Sequence, residues 1–335
     1  MKGRTMHIFD KEIAERPDGF RGPDLSPVGL ELRPHRIADG VFALLANRHP
    51  KDNNGVVFGS KATLVIDAGI VADVGRTIQR HATQLSEAPI RYLVNTTYHG
   101  DHTFGNIAFA DDVTVISSRI NRDNMSDLEY EKLVRSANMY DDKALFDDIT
   151  AWRLPDVVFD DYAEIDLGDQ SVELHHFGPG NGPGDTIVYV PSARTAWTGN
   201  YLCHAGVAHM LLQAGPEPYL DSLRKMREAL PELETIVPGH GPMGAGPEAI
   251  TALLEYLERL NDEVAEAFRV GRTVEETAAS CTNPWADGLD TGLMETLAAL
   301  PGPTAPAQAG LLDLCRNLHR LNVLTAYRAC ERTAA

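Results

Sequence analysis

The 335-residue sequence is short of positive charge. Its 30 lysines and arginines stand against 48 aspartates and glutamates, and the formal net charge is −18. Proteins that bind nucleic acid or acidic membrane surfaces need clustered cations to contact phosphates, and no lysine- or arginine-rich run is present. The composition therefore argues against a nucleic-acid or membrane partner. We expect a small-molecule substrate, and the composition leaves the oligomeric state open.

Long apolar segments are absent as well. No stretch reaches 18 consecutive apolar residues, which is about the length that a membrane-spanning helix needs. The first residues, MKGRTMHIFDKEIAERPDGF, lack the apolar core of a signal peptide. The four cysteines are scattered, and none forms a Cys-x-x-Cys pair. These absences predict a cytoplasmic protein with reduced thiols.

Short apolar segments bounded by turn residues make up most of the first 240 residues. Two blocks, roughly 37–116 and 156–238, contain successive strand patterns with helical spacing between them. Residues 119–155 lie between the blocks and are charged and mostly helical in pattern. This order predicts an α/β protein in which two sheets pack face to face with helices outside.

The same patterns predict three regions. Residues 1–35 are polar and rich in proline and glycine, which is typical of an arm over the surface. Residues 36–246 form the α/β domain, with a helical insertion at about 119–155, and 247–335 form a C-terminal helical extension. The insertion either lies near a functional site or is a plain solvated helix pair.

The segment VNTTYHGDHTFGN, residues 94–106, places His99, Asp101 and His102 directly after a predicted strand. Ligands gather at the carboxyl ends of strands in α/β folds. Two imidazoles and a carboxylate can bind one Zn(II), Fe(II) or Mn(II) ion. A chance cluster on a surface loop is the alternative, and Gly100, which permits a tight turn, argues against it.

A second signal lies in IVPGHGP, residues 236–242. Here His240 stands alone between two glycines, directly after a predicted strand. A single histidine is usually structural, but one in a Pro-Gly-His-Gly-Pro loop is more typical of a metal ligand.

Five segments, in this order, resemble motifs of the metallo-β-lactamase superfamily. They are LVIDAG, NTTYHGDHTFGN, HHFGPGNGPGDTIVYVP, AWTGN and IVPGHGP, and the resemblance covers roughly residues 37–245. It implies a four-layer αββα sandwich with a metal site at one edge.

The resemblance also shows which family ligands this chain lacks. The family motif His-x-His-x-Asp-His corresponds to TYHGDH at residues 97–102, so Thr97 replaces its first histidine. Asn181 occupies the position of a further family histidine, and Asn200 that of the metal-bridging aspartate. Two of these changes deplete the first metal site, and the third removes the carboxylate shared by both sites.

One metal site is therefore implied, in which Asp101, His102 and His240 bind a single divalent cation. Zinc is the expected metal, with iron and manganese as alternatives. The side chains that correspond to family ligands, and so form the candidate metal set, are His99, Asp101, His102, Asn181, Asn200 and His240. A site that binds no metal is the alternative interpretation.

Other roles follow from the same resemblance. His99, freed from ligation, is a candidate general base, and Asp101 belongs to the catalytic set. His204 is a candidate proton carrier, as its loop, which also contains His209, follows Asn200. Thr97 and Asp185 are expected to orient the metal ligands without binding the ion themselves.

The function that these features favour is a metal-dependent hydrolase or cyclase acting on a small carbonyl or ester substrate. The motif order resembles most the branch that contains aromatic polyketide cyclases and thioesterase-like hydrolases. Two alternatives stay open: a non-haem iron oxygenase, which uses two histidines and one carboxylate, and a binding protein that has lost its metal. β-Lactam hydrolysis and nuclease activity are disfavoured.

Overall fold

The computed structural model describes residues 12–137, 144–204, 210–285 and 305–334. Residues 1–11 of the predicted arm and 138–143 of the predicted insertion lie outside the described residues. The same holds for His209 and for part of the predicted C-terminal extension, residues 286–304.

The first sheet has seven strands that lie side by side in chain order. The strands are Leu32–Ala38 (β1), Val41–Ala46 (β2), Asn54–Phe58 (β3), Thr63–Ile66 (β4), Ile90–Val94 (β5), Thr114–Ser118 (β6) and Val157–Phe159 (β7). Pairs from β1 to β4 are antiparallel. Pairs from β4 to β7 are parallel.

The second sheet has six strands. They are Tyr162–Asp166 (β8), Ser171–His175 (β9), Ile187–Val190 (β10), Thr195–Gly199 (β11), Thr235–Pro238 (β12) and Gly244–Ala245 (β13). Their order across the sheet is β13-β12-β11-β10-β9-β8. The β11–β12 pair is parallel, and the other pairs are antiparallel.

Helices connect the parallel strands and form the end of the chain. The α-helices are Ala72–Leu85 (α1), Gly100–Thr103 (α2), Arg119–Asn124 (α3), Leu128–Ala137 (α4), Pro216–Ala229 (α5), Gly246–Arg269 (α6), Val274–Ser280 (α7) and Ala305–Ala334 (α8). Short 3₁₀ turns lie at Phe104–Ala108, Ala144–Phe146 and Pro191–Ala193. Among the described residues, no helix is long and apolar enough to cross a membrane.

Burial patterns explain the layers. Leu64 of the first sheet and Val188 and Trp197 of the second sheet pack in one buried cluster between the sheets. The outer face of the first sheet is covered by α1, which buries Ile78. The outer face of the second sheet is covered by α5, α6 and α8. The structure thus confirms the predicted α/β class, with helices outside two stacked sheets and a helical region at the C-terminus.

Two strands differ from the sequence prediction. Strand β1 lies partly within the stretch predicted as an arm, because Pro34 and mostly exposed neighbours hide the alternation by which strands are recognised. Proline is tolerated there since β1 is an edge strand. The sequence pattern places β7 in the second block, but this strand pairs with β6 in the first sheet. The predicted region boundaries stay predictions.

The N-terminal arm packs against α8. Arg320 Nη2 donates to the carbonyl of Asp18 at 2.9 Å, and Arg328 Nη2 lies 2.7 Å from Glu15 Oε1. These contacts join the two ends of the described chain.

Candidate metal centre

The polar side chains follow the carboxyl ends of two parallel strand pairs, β4–β5 in the first sheet and β11–β12 in the second. Asp67 follows β4, His102 lies in the loop and short helix after β5, Asn200 follows β11, and His240 follows β12. Parallel neighbours end at the same edge of a sheet, which is where α/β folds build ligand sites. The topology therefore brings together side chains that are up to 173 residues apart in sequence, from Asp67 to His240.

Two imidazoles converge on one carboxylate oxygen. His102 Nε2 lies 3.3 Å from Asp101 Oδ2, and His240 Nε2 lies 3.2 Å from the same oxygen. His102 and Asp101 are buried, whereas 21% of the His240 side chain is exposed. Together with Asp52, these residues offer ligand atoms that all lie within 4.8 Å of one another.

The opposite nitrogen of each imidazole is held by an acceptor. His102 Nδ1 lies 2.9 Å from Asp67 Oδ2, and His240 Nδ1 donates to the carbonyl of Pro50 at 2.7 Å. Metal-binding histidines are typically oriented in this way, through the ring nitrogen that does not contact the ion. The donor set of two Nε2 atoms and one carboxylate therefore fits a divalent transition-metal ion.

The charge state of His102 supports the same interpretation. Burial lowers its pKa, but the carboxylates of Asp67 and Asp101 raise it well above the usual value for histidine. Burial likewise works against the charge of Asp101, yet His102 and the Arg135 guanidinium hold the pKa of that carboxyl well below its usual range. Without an ion, a proton on His102 supplies the positive charge that these carboxylates require.

Asp67 adopts an uncommon backbone conformation to reach His102. Its φ of 59° lies in the left-handed region, where a non-glycine residue costs about 1–3 kcal/mol. The carboxylate accepts from Thr96 N at 2.8 Å and from Thr96 Oγ1 at 2.7 Å. These bonds hold Asp67 in place, so the conformation serves the orientation of His102.

Asp52 reaches the site because its segment pairs with the His240 loop. Asn53 N donates to the carbonyl of Gly239 at 2.7 Å, and Asn53 Nδ2 donates to Pro238 and Gly241. Asp52 Oδ1 then lies 3.1 Å from His240 Nδ1. Burial raises the pKa of Asp52 to about 7.

Glycines permit two close approaches. A Cβ on Gly239 would lie 2.7 Å from His102 Cε1, so glycine allows the His240 loop to pack on the His102 ring. A Cβ on Gly100 would overlap the ring of Phe104. Gly100, expected to permit a tight turn, begins α2, and what requires glycine there is this contact with Phe104.

The residues at the positions of the family's first metal site do not converge on one atom as His102 and His240 do. Thr97 is fully buried, and Asn181 Nδ2 donates to the carbonyl of Met210. His99 Nδ1 accepts from Asn200 Nδ2 at 2.9 Å, and Asn200 Oδ1 lies 3.0 Å from His102 Nε2. Asn200 thus joins the two imidazoles through hydrogen bonds of its neutral amide, at the position where the family has a shared carboxylate.

His99 is completely buried. Burial, followed by the nearby Arg135 guanidinium, lowers its pKa well below the usual value, so the ring is neutral at pH 7. Asn200 lines the cleft described below, whereas His99 is not among the lining residues. Its role as a general base stays a prediction.

A buried cation lies beside Asp101. Arg135 of α4 contacts Glu12 of the arm and Glu131 of its own helix, and only 3% of its side chain is exposed. Glu131 also accepts from Gly100 N at 2.7 Å, and burial raises its pKa to about 7. The predicted insertion therefore supplies residues to the site.

Asp185, a predicted supporting residue, and His204, the predicted proton carrier, differ in their placement. Asp185 is buried and accepts from Gly182 N at 2.9 Å, and burial raises its pKa to about 7. His204 places its ring against Gly244 and does not line the cleft. The structure therefore does not bring His204 together with Asp101 and His240, and its proposed role as a proton carrier stays a prediction.

The site opens into a cleft with about 680 Å³ of empty space, including the part open to solvent. The polar side chains at its floor are Asp101, Arg135, Asn181, Asn200 and His240. The walls are mostly apolar and come from the arm, the segment around 210–212 and α8, with Leu25, Leu212, Leu314 and Leu318 among them.

Sequence reasoning missed five residues that contact the site: Glu12, Asp52, Asp67, Glu131 and Arg135. Asp67 directly follows a strand, as the recognised ligands do, and this signal could have found it. The spacing of Glu131 and Arg135 predicts only an ion pair along a helix. Neither Glu12 nor Asp52 carries a local signal.

Comparison with known proteins agrees with this geometry. The model of the metallo-beta-lactamase superfamily matches residues 52–240, more than half of the chain. A metallo-beta-lactamase from Pontibacter korlensis shares the fold, with 18% identity and a TM-score of 0.54 over 68% of this chain and 99% of that one. A metallo-beta-lactamase from Erythrobacter litoralis has 18% identity and a TM-score of 0.52, over 68% of this chain and 96% of that one. The DIM-1 metallo-beta-lactamase has 15% identity and a TM-score of 0.53, over 68% of this chain and 97% of that one. The chain belongs to the metallo-β-lactamase superfamily.

Proposed function

We propose that this protein is a hydrolase or cyclase that uses one divalent metal ion, with zinc as the expected metal. Its substrate is a small, largely apolar molecule with a carbonyl or ester group, a class that includes polyketide chains. The observation that carries the proposal is the convergence of His102 Nε2 and His240 Nε2 on Asp101 Oδ2 beside an apolar cleft.

Asp101, His102 and His240 would hold the ion, and Asp67 and Pro50 would fix the two imidazoles. A bound divalent ion in such a site polarises a carbonyl oxygen and lowers the pKa of a coordinated water. His240 is the most exposed of the three ligands and lines the cleft together with Asp101. A substrate would therefore approach from this side.

The remaining floor residues provide polar contacts of fixed geometry. Arg135 contributes a permanent positive charge, since guanidinium groups stay protonated in proteins. Asn181 Oδ1 is buried and has no hydrogen-bond partner among the described residues, so it can accept a hydrogen bond from a bound hydroxyl or water. Asn200 is held by His99 and His102 and keeps a neutral amide at the floor.

The walls support an apolar substrate. Leu25 comes from the arm and Leu318 from α8, and both segments lie outside the region that matches the family model. Burying apolar surface gives roughly 25 cal/mol per Å², so these walls favour an aliphatic or aromatic body. The solved relatives are named as β-lactamases, but the lost first-site ligands argue against extending that activity to this chain.

A non-haem iron oxygenase is the second candidate, because two histidines and one carboxylate are also the ligand set of those enzymes. Protein purified without added metal separates the two candidates by elemental analysis. We expect one zinc per chain and chelator-sensitive hydrolysis of para-nitrophenyl esters with apolar acyl chains. One iron per chain with substrate-dependent oxygen uptake would favour the oxygenase, and a metal-free protein would contradict both.

A further inference from the structure

A guanidinium lies among three buried carboxylates next to the candidate metal centre. Arg135 Nη2 is 3.0 Å from Glu12 Oε2, and Arg135 Nε is 2.9 Å from Glu131 Oε1. The same Nε lies 3.5 Å from Asp101 Oδ1. All four side chains are at most 3% exposed.

The two oxygens of Asp101 face different cations. Oδ2 faces the imidazoles of His102 and His240, where the proposed ion binds, and Oδ1 faces Arg135. Asp101 thus links two neighbouring positions that each require positive charge. The first is the proposed metal position, and the second is occupied by the guanidinium.

Two further buried atoms lie close to these carboxylates. His99 Nε2 is buried and has no hydrogen-bond partner among the described residues, and it lies 3.7 Å from Glu12 Oε2. Asp101 Oδ1 likewise has no hydrogen bond among the described residues. Because His99 Nδ1 accepts from Asn200, Nε2 carries the proton of the neutral ring and is not a metal donor. The three carboxylates are donors that bind Zn(II) or Mn(II).

We propose that the Arg135 guanidinium is a built-in cation that takes the place of a second metal ion, and that its removal creates a second divalent-cation site. The ligands of that site would be Glu12, Glu131 and Asp101. The inference deepens the proposed one-metal function and rests on it.

Charge balance explains why the position needs a cation. Carboxylates removed from water without a partner cost several kcal/mol each. Arg16 Nη2 lies 2.8 Å from Glu12 Oε1 and compensates that carboxylate. The Arg135 guanidinium supplies one positive charge among these carboxylates and exposes no exchangeable ligand position. It therefore holds Asp101 ionised without adding a second reactive ion.

The test compares zinc equivalents bound by the wild type, Arg135→Ala, Arg135→Lys and a control. Arg119→Ala is a matched control, since Arg119 lies on the same insertion and forms an exposed ion pair with Asp160. After removal of bound metal with a chelator, titration calorimetry with zinc is expected to give one equivalent for the wild type, Arg135→Lys and Arg119→Ala, and two for Arg135→Ala. A folded Arg135→Ala protein that binds no more zinc than the wild type overturns the inference.

Arg135→Ala also leaves uncompensated buried charge and can unfold without metal. In that case zinc beyond the first equivalent is expected to raise its thermal midpoint, and adding Glu12→Gln and Glu131→Gln abolishes this rise. An Arg135→Ala protein that excess zinc does not stabilise contradicts the inference. The number of zinc ions bound by the wild type tests the proposed function. The increase in bound zinc from wild type to Arg135→Ala tests the inference, so the two can fail separately.

Discussion

Oδ2 of Asp67 lies 2.9 Å from Nδ1 of His102, and this contact determines which nitrogen of the imidazole faces the candidate metal centre. The carboxylate is held in turn by two bonds from Thr96. The orientation of one proposed ligand thus depends on a residue that would never touch the ion.

Asp67→Asn tests this dependence. Asparagine tolerates the left-handed backbone of residue 67 but loses the charge that orients His102. We expect zinc affinity to fall by about 10–100-fold, measured by competition with a chromogenic chelator. Asp169→Asn is the control, because Asp169 accepts from Ser60 N on an exposed loop away from the site. Equal affinities for both variants would show that Asp67 does not orient a ligand.

The raised pKa of His102 leads to a prediction about protons. The metal-free ring is protonated at pH 7 because Asp67 and Asp101 stabilise its charge despite burial. A metal ion binds only the unprotonated nitrogen, so zinc binding is expected to release about one proton per ion. Zinc affinity should rise with pH until the metal-free site loses that proton. Calorimetry in buffers of different ionisation enthalpy measures the release, and buffer-independent heats would contradict this charge state.

Most of the strands could be predicted from sequence because their apolar runs are short and bounded by turn residues. The αββα arrangement followed from the resemblance, as did the set Asp101, His102 and His240. β1 could not be predicted, since an edge strand with Pro34 lacks the alternation of a half-buried strand. The contacts around the site could not be predicted from the sequence for another reason. Nothing local in the sequence relates Glu12 to Arg135, which are 123 residues apart and meet only through tertiary packing.

Asp185 is expected to make stability depend on pH. Its pKa is raised to about 7 by burial, so the folded state holds a proton that the unfolded chain loses near pH 4. The group therefore stabilises the fold at low pH, and this contribution is lost as the pH rises through about 7. Asp185→Asn should gain stability relative to wild type between about pH 4 and 7, by up to about 4 kcal/mol.

Urea unfolding of both proteins across this pH range measures the effect. Asp112→Asn serves as the control, because Asp112 forms an exposed ion pair with Arg91. A stability difference between Asp185→Asn and wild type that does not change with pH would mean that Asp185 stays ionised in the folded protein.

The cleft walls should control the length of the substrate. Leu318→Ala removes apolar volume from α8 beside the floor, so the preferred acyl chain of para-nitrophenyl esters is expected to lengthen. Each additional buried methylene contributes about 0.8 kcal/mol, or roughly fourfold in KM. Leu260→Ala removes the same volume from the buried face of α6, away from the cleft, and should leave the preference unchanged. If both variants prefer the same acyl chain length, Leu318 does not limit the length of the substrate.

Elemental analysis of the wild type and His240→Ala, purified side by side without added metal, tests the central claim most directly. His240 is the one proposed ligand outside the loop after β5, and its side chain is partly exposed on an edge loop, so its removal should leave the circular dichroism spectrum unchanged. The account predicts one divalent metal per wild-type chain and loss of most of it in His240→Ala. Two tightly bound metals in the wild type, none at all, or full metal content in a folded His240→Ala would contradict it.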